Sequence, residues 1–326
     1  MPTARSLHEL LHRSSVLAPF VVFLMALVMF SVWDREHFLT ITNLTTVVQQ
    51  VMVVGTLALG QSLVILTAGI DLSVGAIMVV TSILMGKLSA EQGLPGWLAL
   101  LIGLAAGAAC GLVNGALIVR LKLPPFIVTL GTYQVFFALN LYLSHSQTIL
   151  GENMGSVLTW TGGEAFSVNG SPITWGTLMM VALFCVFAYV LGGTAWGRHV
   201  YATGDDVEAA RLAGVRTDRV LLSVYTVAGL LCAIGAWMLI GRIGSASPQA
   251  GQTENLASIT AVVIGGISLF GGRGKVLGVL FGALIVGVFQ DGLVIVGVDT
   301  LWVPFVIGIL VIAAVAADQR IRKVQA

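Results

Sequence analysis

Eight polar side chains stand inside otherwise apolar stretches: Gln49, Gln50, Gln61, Asn114, Thr129, Tyr133, Asn140 and Gln290. Their amides and hydroxyls carry no charge, so their chemistry is hydrogen bonding. They can exchange bonds with the hydroxyls of a neutral solute, and Tyr133 adds a ring face. Polar groups are costly in hydrocarbon unless they face the protein interior or water. For each of the eight, the plainer role is a hydrogen bond between helices. Asp71 differs. It stands in Gly69-Ile-Asp-Leu-Ser73, where a helix is expected to break, so its carboxylate can cap the new helix with Ser73 assisting. A carboxylate at the centre of a spanning helix costs about 2.5–3.5 kcal/mol on insertion scales, and an interrupted helix lowers that cost. We therefore expect a structural or gating cap rather than direct contact with a solute. Asp291, beside Gln290, has no such context.

Other chemistries lack their residues. Cys110, Cys185 and Cys232 lie in apolar stretches with no CxxC pair, so they read as small hydrophobes. The five histidines (His8, His12, His37, His145, His199) lack metal-ligand spacing. No metal or cofactor is expected. A membrane enzyme would need G-x-S-x-G, H-E-x-x-H or paired intramembrane carboxylates, and none is found.

The elements that must position these groups follow from composition. Of 326 residues, 57% are hydrophobic and only 10% charged, and the mean hydropathy is +0.98. A soluble domain carries roughly 25% charged residues to face water, so lipid must be the solvent here. The net charge of +1 and the lack of a basic stripe give no reason to expect nucleic acid. The 39 glycines suit close helix packing. In the fourth apolar stretch Gly103, Gly107, Gly111 and Gly115 make a smooth groove on one face, which we read as packing alone.

A crossing needs about 20 apolar residues. We place spans near 16–33, 46–67, 71–90, 97–119, 125–144, 174–193, 220–241, 256–270, 276–297 and 301–317. The first could imitate a secretory signal but ends Phe30-Ser31-Val32-Trp33-Asp34, without the small residues of a cleavage site. With the N-terminus inside, the cytoplasmic segments hold 13 Lys and Arg: Arg5, Arg13, Arg120, Lys122, Arg198, Arg211, Arg216, Arg219, Arg273, Lys275, Arg320, Arg322 and Lys323. The outer segments hold 3: Arg35, Lys87 and Arg242. That asymmetry predicts two cytoplasmic termini and an even number of spans.

A repeat is visible. Gly111-Leu-Val-Asn-Gly-Ala-Leu-Ile-Val119 matches Gly278-Val-Leu-Phe-Gly-Ala-Leu-Ile-Val286. Gly69-Ile-Asp-Leu-Ser-Val-Gly75 precedes the first and Gly266-Ile-Ser-Leu-Phe-Gly271 the second. Pro125-Phe-Ile-Val128 and Pro304-Phe-Val-Ile307 follow them. Spans three to five thus pair with eight to ten. An odd offset of five inverts one half relative to the other, a frequent transporter architecture with the path near the interface of the halves. The expected organisation is one domain, 1–326, with halves 16–144 and 174–317 and an outer loop 145–173.

The least membrane-like part is 194–219. Asp205 and Asp206 can cap a short helix and Gly214 can end it in a left-handed conformation. Within it, Glu208-Ala-Ala-x-x-x-Gly214 resembles the EAA loop of bacterial ABC-importer permeases. Leu66-Thr-Ala-Gly-Ile-Asp-Leu-Ser-Val-Gly75, Leu123-Pro-Pro-Phe-Ile-Val-Thr-Leu-Gly131 and Ala261-Val-Val-Ile-Gly-Gly-Ile-Ser-Leu-Phe-Gly-Gly272 add to it. From about residue 40 to 317, the chain resembles the ribose/xylose/arabinose branch of monosaccharide permeases.

The resemblance implies an all-α membrane protein of ten helices in the bacterial inner membrane. It implies a second permease copy or sister permease, two ABC ATPase subunits, and a periplasmic or lipoprotein sugar-binding protein. It also implies that a coupling helix with Gly204, Asp205, Glu208, Ala209, Ala210 and Gly214 docks on the ATPase, its small residues Ala209 and Ala210 facing that partner. The substrate would be a ribose-type pentose or related sugar. A nucleoside, a branched-chain amino acid or a signalling sugar is the competing cargo. An ion-driven transporter is a more distant rival, in which an EAA loop would have no purpose. The chain has no G-x-x-x-x-G-K-[ST] phosphate loop; Gly272-Arg-Gly-Lys275-Val lacks the first glycine and the hydroxyl residue. ATP is expected to be hydrolysed by a separate subunit.

Overall fold

The computed structural model describes residues 16–251, 254–309 and 312. Each of the ten expected apolar stretches carries a helix. These are α1 (Leu17–Trp33), α2 (Ile41–Leu66), α3 (Val74–Gly86), α4 (Gly96–Leu121) and α5 (Pro125–Ser144) in the first half. In the second half α6 spans Trp175–Gly193 and is followed by two short helices, α7 (Ala195–Asp205) and α8 (Val207–Leu212). Then come α9 (Thr217–Ile243), α10 (Glu254–Ile264), α11 (Val276–Ile295) and α12 (Thr300–Ile309). Among the described residues seven helices are long and apolar enough to cross a membrane, α3 counting together with the π-helical turn Lys87–Glu91 that continues it; α1, α10 and α12 are apolar but shorter. Both termini, residues 310 and 311, and 313–317 of the last expected span lie outside the described residues.

Local chemistry sets the boundaries. Pro125 occupies the first turn of α5, where its missing N–H costs nothing. Thr40 caps α2 by accepting from Asn43 N–H at 3.2 Å. Gly244 closes α9 at φ 64°. The eighth expected span ends early: α10 stops at Ile264, and a turn with Gly266, Gly271, Gly272 and Gly274 at positive φ leads to α11. Positive φ suits glycine because it has no Cβ to clash.

α2 is the central post, buried on all sides from Val51 to Leu66. α9 and α11 pack on it, and α4 packs on α9. The glycine groove of α4 sits at that contact: a Cβ on Gly111 would come 2.0 Å from Tyr225 O, and one on Gly107 would come 2.6 Å from Gly229 O. The backbones touch there, as small-residue interfaces allow. The packing pairs fall into sets: α4 on α9 with α11 on α2, α3 on α9 with α10 on α2, and α3 on α4 with α10 on α11.

The stretch 145–174 is not featureless, and the chain is not helical throughout. β2 (Glu164–Val168) and β3 (Ser171–Thr174) form an antiparallel hairpin, turning through Asn169 and Gly170, both at positive φ. β1 (Ile149–Leu150) pairs with β4 (Ser245–Ala246), tying this segment to the end of α9. Trp160 stacks between Trp175 at 5.2 Å and Trp237 at 5.9 Å. The β1–β4 pairing and the Trp160–Trp237 contact join residues far apart in sequence, so no local period announces them. α6 runs from the end of β3 to the start of α7, so the hairpin end of the bundle is opposite the end that carries α7 and α8.

Candidate functional site

Three places gather the chemistry. The first is the break between α2 and α3. Here Asp71 is buried, and its Oδ1 accepts from Ser73 N–H at 2.7 Å and from the Ser73 hydroxyl at 2.6 Å. Ser73 Oγ accepts in turn from Asn114 Nδ2 at 2.8 Å. Ser73 stands at the N-cap of α3 yet makes no capping bond. The expected cap is thus an Asx turn before the helix, because Asp71 lies two residues too early to reach the first free helical N–H groups. Thr129 on α5 accepts from Leu72 N–H and donates to Ile70 O, both at 3.1 Å. Gln61, with its amide oriented to satisfy both groups, donates to Asp71 O at 3.1 Å and accepts from Asp71 N–H at 3.3 Å. Asn255 Nδ2 donates to Leu72 O.

Gln61, Asn114 and Thr129 are therefore fasteners that hold an exposed-backbone loop inside the bundle, where unpaired groups are expensive. Asn114 Oδ1, Asn255 Oδ1 and the Tyr225 hydroxyl have no hydrogen-bond partner among the described residues. Sequence reasoning passed over Tyr225 and Asn255; a tyrosine inside an apolar span and an amide at the start of one were the available signals. The turn before α11 makes a like contact: Phe270 N–H donates to Ser268 Oγ at 3.3 Å, the Asp71-to-Ser73 geometry with a hydroxyl in place of the carboxylate.

The second place is the end bearing α7 and α8. Thr194 caps α7 by accepting from Gly197 N–H at 3.2 Å. Asp206 caps α8, accepting from Glu208 and Ala209 N–H at 2.9 Å each. Asp205 does not cap; it is the last residue of α7. Gly214 has φ +87° and ends the segment. Glu208, Ala209 and Leu212 are exposed, Leu212 by 89%. Ala210 points the other way and is buried, a correction to the expectation that it faces a partner. Ala210 is the buried residue of α8, with its neighbours on both sides exposed, so α8 presents position 210 to its own chain.

Gly204 is also internal. A Cβ there would lie 1.7 Å from Leu66 O, at the end of α2, and 2.8 Å from Gly272 N. Gly272 N–H itself donates to Leu66 O at 3.0 Å. Three backbones meet at this point: the end of α7, the end of α2 and the turn before α11. Tyr201 on α7 adds a bond to Gly274 O at 2.9 Å. Burial pushes the Tyr201 phenol above its usual value.

The third place lies toward the hairpin end. Two adjoining clefts of about 380 and 560 Å³ share Gln50, Ala257 and Gln290. Arg242 and Glu254 line the smaller, Asp291 and residues of α12 the larger. Arg242 also donates to Gln50 O at 3.3 Å. Of the eight polar side chains in apolar stretches, Gln50 and Gln290 line these clefts. Gln49 donates to Pro172 O at 2.8 Å, and Asn140 donates to Pro248 O at 3.0 Å. Tyr133 lies 6.1 Å from Phe137 in a stacked pair. Arg242 and Glu254 were legible only as charges flanking spans.

Residues 43–315 match the family described as branched-chain amino acid transport system / permease component. The chain is 51% identical over 325 residues to the fructose import permease protein FrcC of Rhizobium meliloti, covering 99% of this chain and 90% of that protein. It is 37% identical over 306 residues to the ribose import permease protein RbsC of Bacillus subtilis, covering 93% and 92%. The D-allose transport system permease protein AlsC of Escherichia coli is 33% identical over 304 residues, covering 93% and 91%. With seven helices fit to cross a bilayer, this is a multi-pass membrane protein. It belongs to the permease family described as branched-chain amino acid transport system / permease component.

Proposed function

We propose that this chain is the permease subunit of an ATP-binding-cassette importer that moves a monosaccharide, of the fructose or ribose kind, into the cytoplasm by alternating access. The observation that carries the reading is likeness along 99% of the chain to a permease named for fructose import. Ribose and allose permeases at lower identity support the same solute class. Neutral, hydroxyl-rich cargo suits the amide-lined clefts at Gln50 and Gln290.

In this reading ten helices cross the bacterial inner membrane as inverted halves 16–144 and 174–317, in one domain, with both termini cytoplasmic. Support comes from the paired packing sets and from the shared turn at Asp71 and Ser268. The α7–α8 end then faces the cytoplasm. The segment 194–219 docks there on an ABC ATPase subunit through Glu208, Ala209 and Leu212, while Gly204, Asp205, Ala210 and Gly214 shape it. A push on α8 reaches α2 and the 266–274 turn through the Gly204 contact, so one input moves both halves. The partners are two such ATPases, a second permease copy or sister permease, and a periplasmic or lipoprotein sugar-binding protein.

The test is uptake of labelled fructose into proteoliposomes containing the chain with its ATPase and binding-protein partners, competed by ribose and allose. Saturable uptake that requires ATP is expected. Uptake driven by an ion gradient without ATP, or ATP-driven uptake that no monosaccharide competes, would refute the proposal.

A further inference from the structure

A cleft of about 750 Å³ lies at the α7–α8 end, between α6, α7 and the start of α11. Arg198, Arg273 and Lys275 line it. All three are exposed, and none has an ion-pair partner among the described residues. Three like charges sharing one cleft repel one another, and an anion between them relieves that cost. The backbone that carries these cations is also held in place. Arg273 and Lys275 sit on a turn shaped by Gly272 at φ 68° and Gly274 at φ 123°. The Tyr201 hydroxyl bonds the carbonyl of Gly274, and Tyr201 lies one turn from Arg198 on the same face of α7. The uncapped N-terminus of α11, whose Lys275 makes no side-chain capping bond, adds positive potential.

The other wall is apolar. Ala188, Leu191 and Gly192 of α6 and Leu277 of α11 complete the cleft. A side chain on Gly192 would meet nothing within 4 Å. Exposed apolar surface continues beside it at Tyr189, one turn before Gly192 on α6, and at Phe270 in the turn before α11, which are 74% and 53% exposed. Cationic at one end and hydrocarbon-like along the other, the cleft matches an amphiphile with an anionic head. Docking of the ATPase would cover water-facing surface at the end of the bundle, not the flank of α6.

We propose that this cleft binds the phosphate headgroup of an anionic membrane lipid, with Arg198, Arg273 and Lys275 holding the phosphate and the α6 flank receiving an acyl chain. Arginine forks fit phosphate oxygens in pairs, and basic pockets between spanning helices on one side of a membrane are suited to such heads. The proposal needs only that the chain spans a bilayer, and it is independent of the solute carried.

The test is native mass spectrometry of the detergent-purified chain titrated with phosphatidylglycerol or phosphatidylcholine. Wild-type protein should retain phosphatidylglycerol at least about tenfold better, since the cations of the cleft favour an anionic head. The triple substitution R198Q/R273Q/K275Q should abolish the preference. R216Q/R219Q, which removes two cations outside the cleft, should keep it. Should the triple variant be misfolded by size-exclusion chromatography, the single K275Q at an exposed position is read in its place and should weaken the preference. Equal retention of both lipids would overturn the proposal, as would an unchanged preference in every cleft variant. Displacement of the lipid by millimolar inorganic phosphate would make this a free-phosphate site. Loss of ATPase-subunit pull-down with lipid retention intact would make it a docking surface. Either of those results also overturns the proposal.

Discussion

Gly204→Ala is the sharpest perturbation of the proposed coupling route. The new methyl carbon would sit 1.7 Å from Leu66 O and 2.8 Å from Gly272 N. Ordinary carbon–oxygen contacts lie near 3.3–3.6 Å, so α7 must retreat by more than an ångström or the end of α2 must yield. Both obstacles are backbone, which cannot rotate away. Overpacking of this kind costs about 1–3 kcal/mol. Losing the 3.0 Å bond from Gly272 N–H to Leu66 O adds about 0.5–1.5 kcal/mol. A total near 2–4 kcal/mol lowers the population of the docked arrangement by roughly thirtyfold to a thousandfold. Uptake and ATP hydrolysis should be measured on the same proteoliposomes. Uptake is expected to fall at least about tenfold while hydrolysis continues. Gly131→Ala, where a Cβ meets nothing within 4 Å, serves as the silent comparison. Wild-type uptake per ATP in Gly204→Ala, with an unshifted Tm, would refute the reasoning.

Further expectations concern the other sites. Asp206→Ala removes both capping bonds of α8 and should cost about 1 kcal/mol of local helix stability; hydrogen exchange should quicken in 207–213 without change in the global Tm. Asp71→Ala strands the Ser73 N–H and hydroxyl in a buried loop, at about 1–3 kcal/mol; the Tm in detergent should drop, whereas Asp71→Asn, which keeps an acceptor oxygen, should drop less. Gly111→Ala forces α4 from α9 against Tyr225 O and should lower the Tm more than Gly131→Ala does. Gln50→Ala and Gln290→Ala should raise the solute concentration for half-maximal uptake with the Tm unchanged, since both line open clefts and neither fastens the core.

The elements were largely legible because their causes are local. Span length follows from hydropathy summed over a window, and ten expected stretches each carry a helix, although α10 ends at Ile264 where Gly265 and Gly266 begin the turn. The helix of 207–212 followed from Asp206 and Gly214, whose effects reach only three or four residues. Neither the β1–β4 pairing nor the Trp160 stack was legible, since each joins segments many residues apart.

The polar residues divide the same way. Sequence alone determined that amides at 50, 61, 114 and 290 stand in apolar helices and must face something polar, because hydrocarbon offers them no partner. Which partner each one found was decided by the tertiary structure: Gln61 and Asn114 turn to the loop at Asp71, while Gln50 and Gln290 face a cleft. Likewise, residue type placed Ala210 on a short helix and Gly204 beside it, but only tertiary packing made both internal, Gly204 where α7, α2 and the 266–274 turn meet. The physical reason is common to both. A side chain's chemistry is a property of the residue, whereas its neighbours are set by how helix backbones approach across the bundle, and that approach is summed over contacts no local window contains.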